Sequence, residues 1–75
     1  MPDQFIRLVY PPTLLDVPII NQLVRRFDLT FNILRAEVTP NAGWVDLQLT
    51  GNSGAIESAI TWLSGQGIDV QRLAQ

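Results

Sequence analysis

The stretch TFNILRAEVTPNAGWVDLQLT, residues 30–50, decides the fold. Its second half alternates strictly. Val45, Leu47 and Leu49 fall on one parity and Asp46 and Gln48 on the other, as in a strand with one buried face. Pro40-Asn41-Ala42-Gly43 supplies hairpin-turn chemistry before it. Residues 30–39 also run at a period near two. Asn32, Leu34, Ala36 and Val38 share the inward, helix-facing side, and Phe31, Ile33, Arg35 and Glu37 share the other. The reading is a hairpin at the centre of the chain.

Upstream, Phe5-Ile6-Arg7-Leu8-Val9-Tyr10 reads as a strand closed by Pro11-Pro12, which can neither extend a ladder nor easily open a helix. Asp16 is the expected N-cap of a helix with Pro18 at its start and its end near Phe27. Ile20, Leu23, Val24 and Phe27 have the spacing of one buried helical face. Downstream, Gly51-Asn52-Ser53-Gly54 ends the hairpin and prepares a second helix, with Ile56, Ala59, Ile60 and Leu63 as its buried stripe. Gly65 or Gly67 stops that helix, and residues 68–73 form a last short strand. The order β-α-β-β-α-β predicts an α+β, ferredoxin-like sandwich: a four-stranded antiparallel sheet with both helices on one face.

Seventy-five residues, 47% of them apolar, make a single domain spanning 1–75. So short a chain usually gains stability from disulfides, a metal or a partner subunit. There is no cysteine and no histidine, which removes disulfides, iron–sulfur clusters and the common zinc ligands. No cofactor or metal is expected, and a homodimer is the remaining device. The net charge of −2 and the scattered basic residues argue against nucleic acid. No signal core or apolar run near ~20 residues predicts membrane insertion, and the expected location is the cytoplasm.

No catalytic constellation is present. Ser53, Ser58 and Ser64 have no histidine base, and the acids are dispersed. Glu37 and Asp46 are expected to pair with Arg35 or Arg7 instead of forming an acid/base couple. The turn at residues 51–54 lacks the lysine of a phosphate loop and reads as a turn with a helix cap. Phe5, Val9, Ile33 and Trp44 fall on the parity that no helix covers, a candidate interface for a second copy or for a protein partner. Asn32, at the start of its strand, either caps the turn after residues 27–29 or holds a ligand.

Residues 17–73 resemble the NIL domain, a family named for an Asn-Ile-Leu signature. Asn32-Ile33-Leu34 follows Ile20-Asn21-Gln22-Leu23-Val24-Arg25-Arg26-Phe27 as the signature follows the family's first helix. Residues 43–51, Gly-Trp-Val-Asp-Leu-Gln-Leu-Thr-Gly, look like its third strand, and residues 55–67 like its second helix with a closing Leu…Gly-Ile-Asp-Val pattern. The resemblance implies a ferredoxin-like fold. It also implies kinship with domains at the C-terminus of methionine-importer ATPases, where paired domains bind methionine and regulate transport, and with domains that precede iron–sulfur ferredoxin modules. This chain carries neither an ATPase domain nor cluster cysteines, so ATP hydrolysis and electron transfer do not transfer to it. The resulting expectation is a non-catalytic domain, dimeric, binding methionine or a related amino acid at Asn32, Ile33, Leu34 and Arg35. The alternative is an adaptor that docks a protein through the open sheet face.

Overall fold

A computed structural model describes residues 3–73 of the chain. The elements are β1 (Asp3–Tyr10), a 3-10 turn (Pro12–Leu14), α1 (Ile19–Arg26), β2 (Thr30–Val38), β3 (Gly43–Thr50), α2 (Ser53–Gly65) and β4 (Asp69–Arg72). The strands lie in the order β2-β3-β1-β4, with every neighbouring pair antiparallel. This is the expected βαββαβ sandwich.

The core sits between the sheet and the helices. Ile6 and Leu8 of β1 lie opposite Leu47 and Val45 of β3, and all four are buried. Against them pack Ile19 and Leu23 from α1, and Ile56, Ala59 and Leu63 from α2. The predicted stripe of α1 is therefore rotated. Ile19, Leu23 and, more loosely, Phe27 repeat at i, i+4, i+8 towards the core, while Val24 is 51% exposed. Ile60 packs at the margin of the core and is not one of its buried members.

The start of α1 also differs from expectation. The chain leaves β1 through the 3-10 turn, and Pro18 occupies the N-cap with no side-chain cap, so Asp16 stands exposed two residues upstream. In α2 the cap is made as the turn chemistry implied. The Asn52 Oδ1 accepts from the N–H groups of Gly54 (2.8 Å) and Ala55 (3.3 Å). Gly67, at φ +97°, reverses the chain after α2, and the Ile68 N–H donates back to the Leu63 carbonyl at 3.2 Å.

β2 does not keep one phase. Ile33 pairs with Leu47 and Arg35 with Asp46, so Leu34 is the extra residue of a β-bulge. Directly opposed residues point to the same side of a sheet. Phe31 and Ile33, opposite Leu49 and Leu47, therefore take the helix side, as do Ala36 and Val38 beyond the bulge. Asn32, Arg35 and Glu37 take the open side. Three expectations are corrected here: Asn32 faces away from the helices, and Phe31 and Ile33 face towards them.

Leu23→Ala should cost about 2–5 kcal/mol of stability, the range for emptying a closed core position. Val24→Ala should cost only about 0.5 kcal/mol, the ordinary scale of surface changes. Urea unfolding of both variants checks this, and equal losses would contradict the rotated stripe.

Candidate functional site

The Asn-Ile-Leu segment does not form one pocket. Asn32 is exposed on the open face opposite Gln48; so placed, its amide needs neither a burial partner nor a turn to cap. Ile33 is 56% exposed on the helix side of β2, beyond the reach of α1, and Leu34 occupies the bulge. Arg35 joins a charged centre on the open face. The expected interface is likewise divided. Phe5, Val9 and Trp44 lie half-buried on the open face, whereas Ile33 lies across the sheet from them.

That charged centre is built on Asp46, which is only 2% exposed although no helix covers its side of the sheet. Arg7 on β1 donates to it twice, from Nε to Oδ1 at 2.7 Å and from Nη2 to Oδ2 at 3.0 Å. Arg35 on β2 adds a third bond from Nη2 to Oδ2 at 3.1 Å. Both guanidiniums lie over the Trp44 ring, with the Arg7 Cζ 4.5 Å and the Arg35 Cζ 5.8 Å from its centroid. The hydrogen bonds from Arg7 hold the Asp46 carboxyl below the usual aspartate range against the opposing effect of burial, and Arg35 adds to the depression. The expected pairing of Asp46 with Arg7 and Arg35 is thus present.

A concave feature lies elsewhere. A cleft of about 250 Å³ opens where the 11–18 connector meets the first turn of α1 and the far end of the β2–β3 hairpin. Leu15 and Val17 line it from the connector, Pro18 to Asn21 from α1, and Tyr10, Val38, Gly43 and Val45 from the strands. Gly43 permits the close approach that shapes one wall, since a Cβ there would stand 2.7 Å from the Leu15 Cδ2. Burial raises the Tyr10 pKa above the ordinary phenol value, so its hydroxyl remains a neutral donor.

The first turn of α1 carries no acidic residue and no side-chain cap. Ile19 N–H is taken by the Val17 carbonyl at 2.8 Å and Gln22 N–H by the Pro18 carbonyl at 3.1 Å. Ile20 and Asn21 also line the cleft, and their N–H groups, in the first turn, have no acceptor within the helix. None of the residues expected to hold a ligand lines this space. Asn32 is six positions along β2 from Val38, about 20 Å at the rise of a strand. The overlooked signal was the run Leu14-Leu15-Asp16-Val17 between prolines, a connector too apolar for a simple surface loop.

The family model for the NIL domain matches residues 4–72. The chain belongs to the NIL domain family. It is 37% identical over 68 residues to an uncharacterized protein of Synechococcus elongatus, a match covering 87% of this chain and 84% of that one. It is also 32% identical over 73 residues to the methionine import ATP-binding protein MetN of Burkholderia thailandensis. That match covers 92% of this NIL chain but 21% of MetN, so the chain corresponds to about a fifth of the importer protein. The fold is shared with the C-terminal domain of an ABC transporter ATP-binding protein from Enterococcus faecalis, at a TM-score of 0.80 and 21% identity. That likeness covers 96% of this chain and 84% of the other. Among the described residues, no helix is long and apolar enough to cross a membrane.

Because the folded Asp46 pKa is depressed, its contribution to stability is complete above the unfolded aspartate pKa of about 3.9 and is lost as pH falls through the lower folded value. Asp46→Asn should therefore unfold at lower urea than the parent at pH 7. The gap should narrow steadily below pH ~4. A gap independent of pH would contradict the charged centre.

Proposed function

We propose that this chain is a single regulatory, non-catalytic NIL domain that binds a small amino acid of methionine's kind and works as a dimer in the cytoplasm. The cleft is the observation that carries the ligand part. Its walls are almost wholly apolar, matching an unbranched thioether side chain. In the first turn of α1, the uncapped N–H groups of Ile20 and Asn21 suit a carboxylate, which the positive end of a helix favours. Tyr10 supplies a neutral hydroxyl on the strand side. The kinship with a methionine import ATP-binding protein supports the choice of methionine, and ATP-binding subunits work where ATP is held, which supports the compartment.

A second reading holds the ligand on the open face at Asn32 and Arg35, where an exposed amide stands two paired positions from the guanidinium cluster. The two sites are about 20 Å apart along β2, so single variants separate them. Calorimetric titration with L-methionine is the test. Tyr10→Phe removes the hydroxyl on the strand side of the cleft and keeps the ring that packs there. It should weaken binding about five- to hundredfold, the equivalent of about 1–3 kcal/mol for a bond to a charged group. Asn32→Ala should leave affinity unchanged. The reverse pattern selects the open face, and no heat of binding at millimolar methionine rejects the ligand reading.

A further inference from the structure

Across the open side of the sheet, the pairing registers set Glu37, Trp44, Val9 and Asp69 in one row, one residue from each of β2, β3, β1 and β4. The two inner members are half-buried and apolar, and the two outer members are acids. Neither acid is neutralised from within the fold. The chain has five basic residues, all of them arginines. Arg7 and Arg35 are held at Asp46 and Arg72 at Glu57, while Arg25 and Arg26 end α1 on the other side of the sheet. Arg35 stands two positions along β2 from Glu37 but is drawn to Asp46 instead. Among the described residues Glu37 and Asp69 form no ion pair, and Asp69 accepts only from the Gln71 amide, at 3.1 Å.

The centre of the row is fixed in advance. The guanidiniums of Arg7 and Arg35 lie over the Trp44 ring and are themselves anchored by Asp46, so little side-chain freedom is left to lose on docking. A held tryptophan is the kind of side chain that anchors protein interfaces.

We propose that this row docks a segment of another protein that carries two basic side chains astride an apolar one. An apolar centre bounded by two like charges selects a partner with the opposite charges at its margins. Spacing narrows the choice. Three interstrand steps separate Glu37 from Asp69, about 14 Å. In an extended segment, residues i, i+2 and i+4 point to one side and span about 13 Å. A basic-x-apolar-x-basic pattern laid across the strands therefore brings its cations to the two acids and its centre to Trp44 and Val9. The same acids repel nucleic acid and anionic lipid. The row and the cleft lie on opposite sides of the sheet, so this docking stands apart from the methionine reading.

Fluorescence anisotropy at low salt, with the labelled and end-blocked peptide Gly-Lys-Ser-Leu-Ser-Lys-Gly, is the test. The parent should bind it with a Kd below about 1 mM. Glu37→Gln/Asp69→Asn should weaken binding at least about tenfold. Asp16→Asn/Asp28→Asn removes the same charge from exposed acids elsewhere and should leave binding unchanged. A peptide with adjacent lysines, Gly-Lys-Lys-Leu-Ser-Ser-Gly, should bind at least about fivefold more weakly. Equal affinity for the two peptides, affinity that survives the loss of Glu37 and Asp69, or no binding by the parent would each overturn the proposal. A parent oligomer that dissociates in the Glu37→Gln/Asp69→Asn variant would overturn it too, by giving the row to a second copy. Each of these failures leaves the methionine titration untouched.

Discussion

Asp46 is the point on which the sheet depends. It draws Arg7 from β1 and Arg35 from β2 onto the central strand β3, so one carboxylate ties three adjacent strands together. A carboxylate this far from water is costly unless its partners are in place. The requirement fixes the register of β1, β3 and β2 from the open side, as Ile6, Leu8 and Leu47 fix it from the core side. The bulge at Leu34 belongs to the same arrangement. Continued without it, the Ile33–Leu47 register would set Leu34 opposite Asp46 and turn Arg35 towards the core beside Val45. The extra residue brings the guanidinium to the carboxylate.

A second constraint is the brevity of α1. Its eight residues reach the core through Ile19 and Leu23 and stop short of covering the outer flank of the sheet. The apolar margin of β2 and the cleft beside the α1 N-terminus both follow from that shortfall. The connector that replaces the missing helical turns supplies Leu15 and Val17 to the cleft, and its passage over Gly43 needs a residue without a side chain. An uncapped helix end beside an apolar hollow is a poor contributor to stability and a good receptor for a small amphiphile.

For a NIL domain, then, the residues that name the family do not share one site. Asn32 stands in solvent on the open face, and Leu34 makes the bulge. In this chain the signature reads most directly as the sequence of a strand that changes phase at the sheet margin.

The amino-acid sequence by itself determined the element order, the sandwich and the inward residues of β1 and β3, because strict alternation over a whole strand leaves one solution. It also put Glu37 and Asp46 on the face of Arg7 and Arg35, and the tertiary structure then gave both arginines to Asp46. The tertiary structure alone decided the faces of β2. Two apolar alternations, Phe31 with Ile33 and Ala36 with Val38, are out of step by one residue, and a period of two imposed across both hides the slip. It decided the rotation of α1 too, because Ile19, Ile20, Leu23 and Val24 offer two overlapping stripes and only the docking of the helix chooses between them. The cleft was beyond the sequence for a related reason: its walls come from β1, the connector, α1 and the hairpin, and only packing brings segments so far apart in the chain to one place.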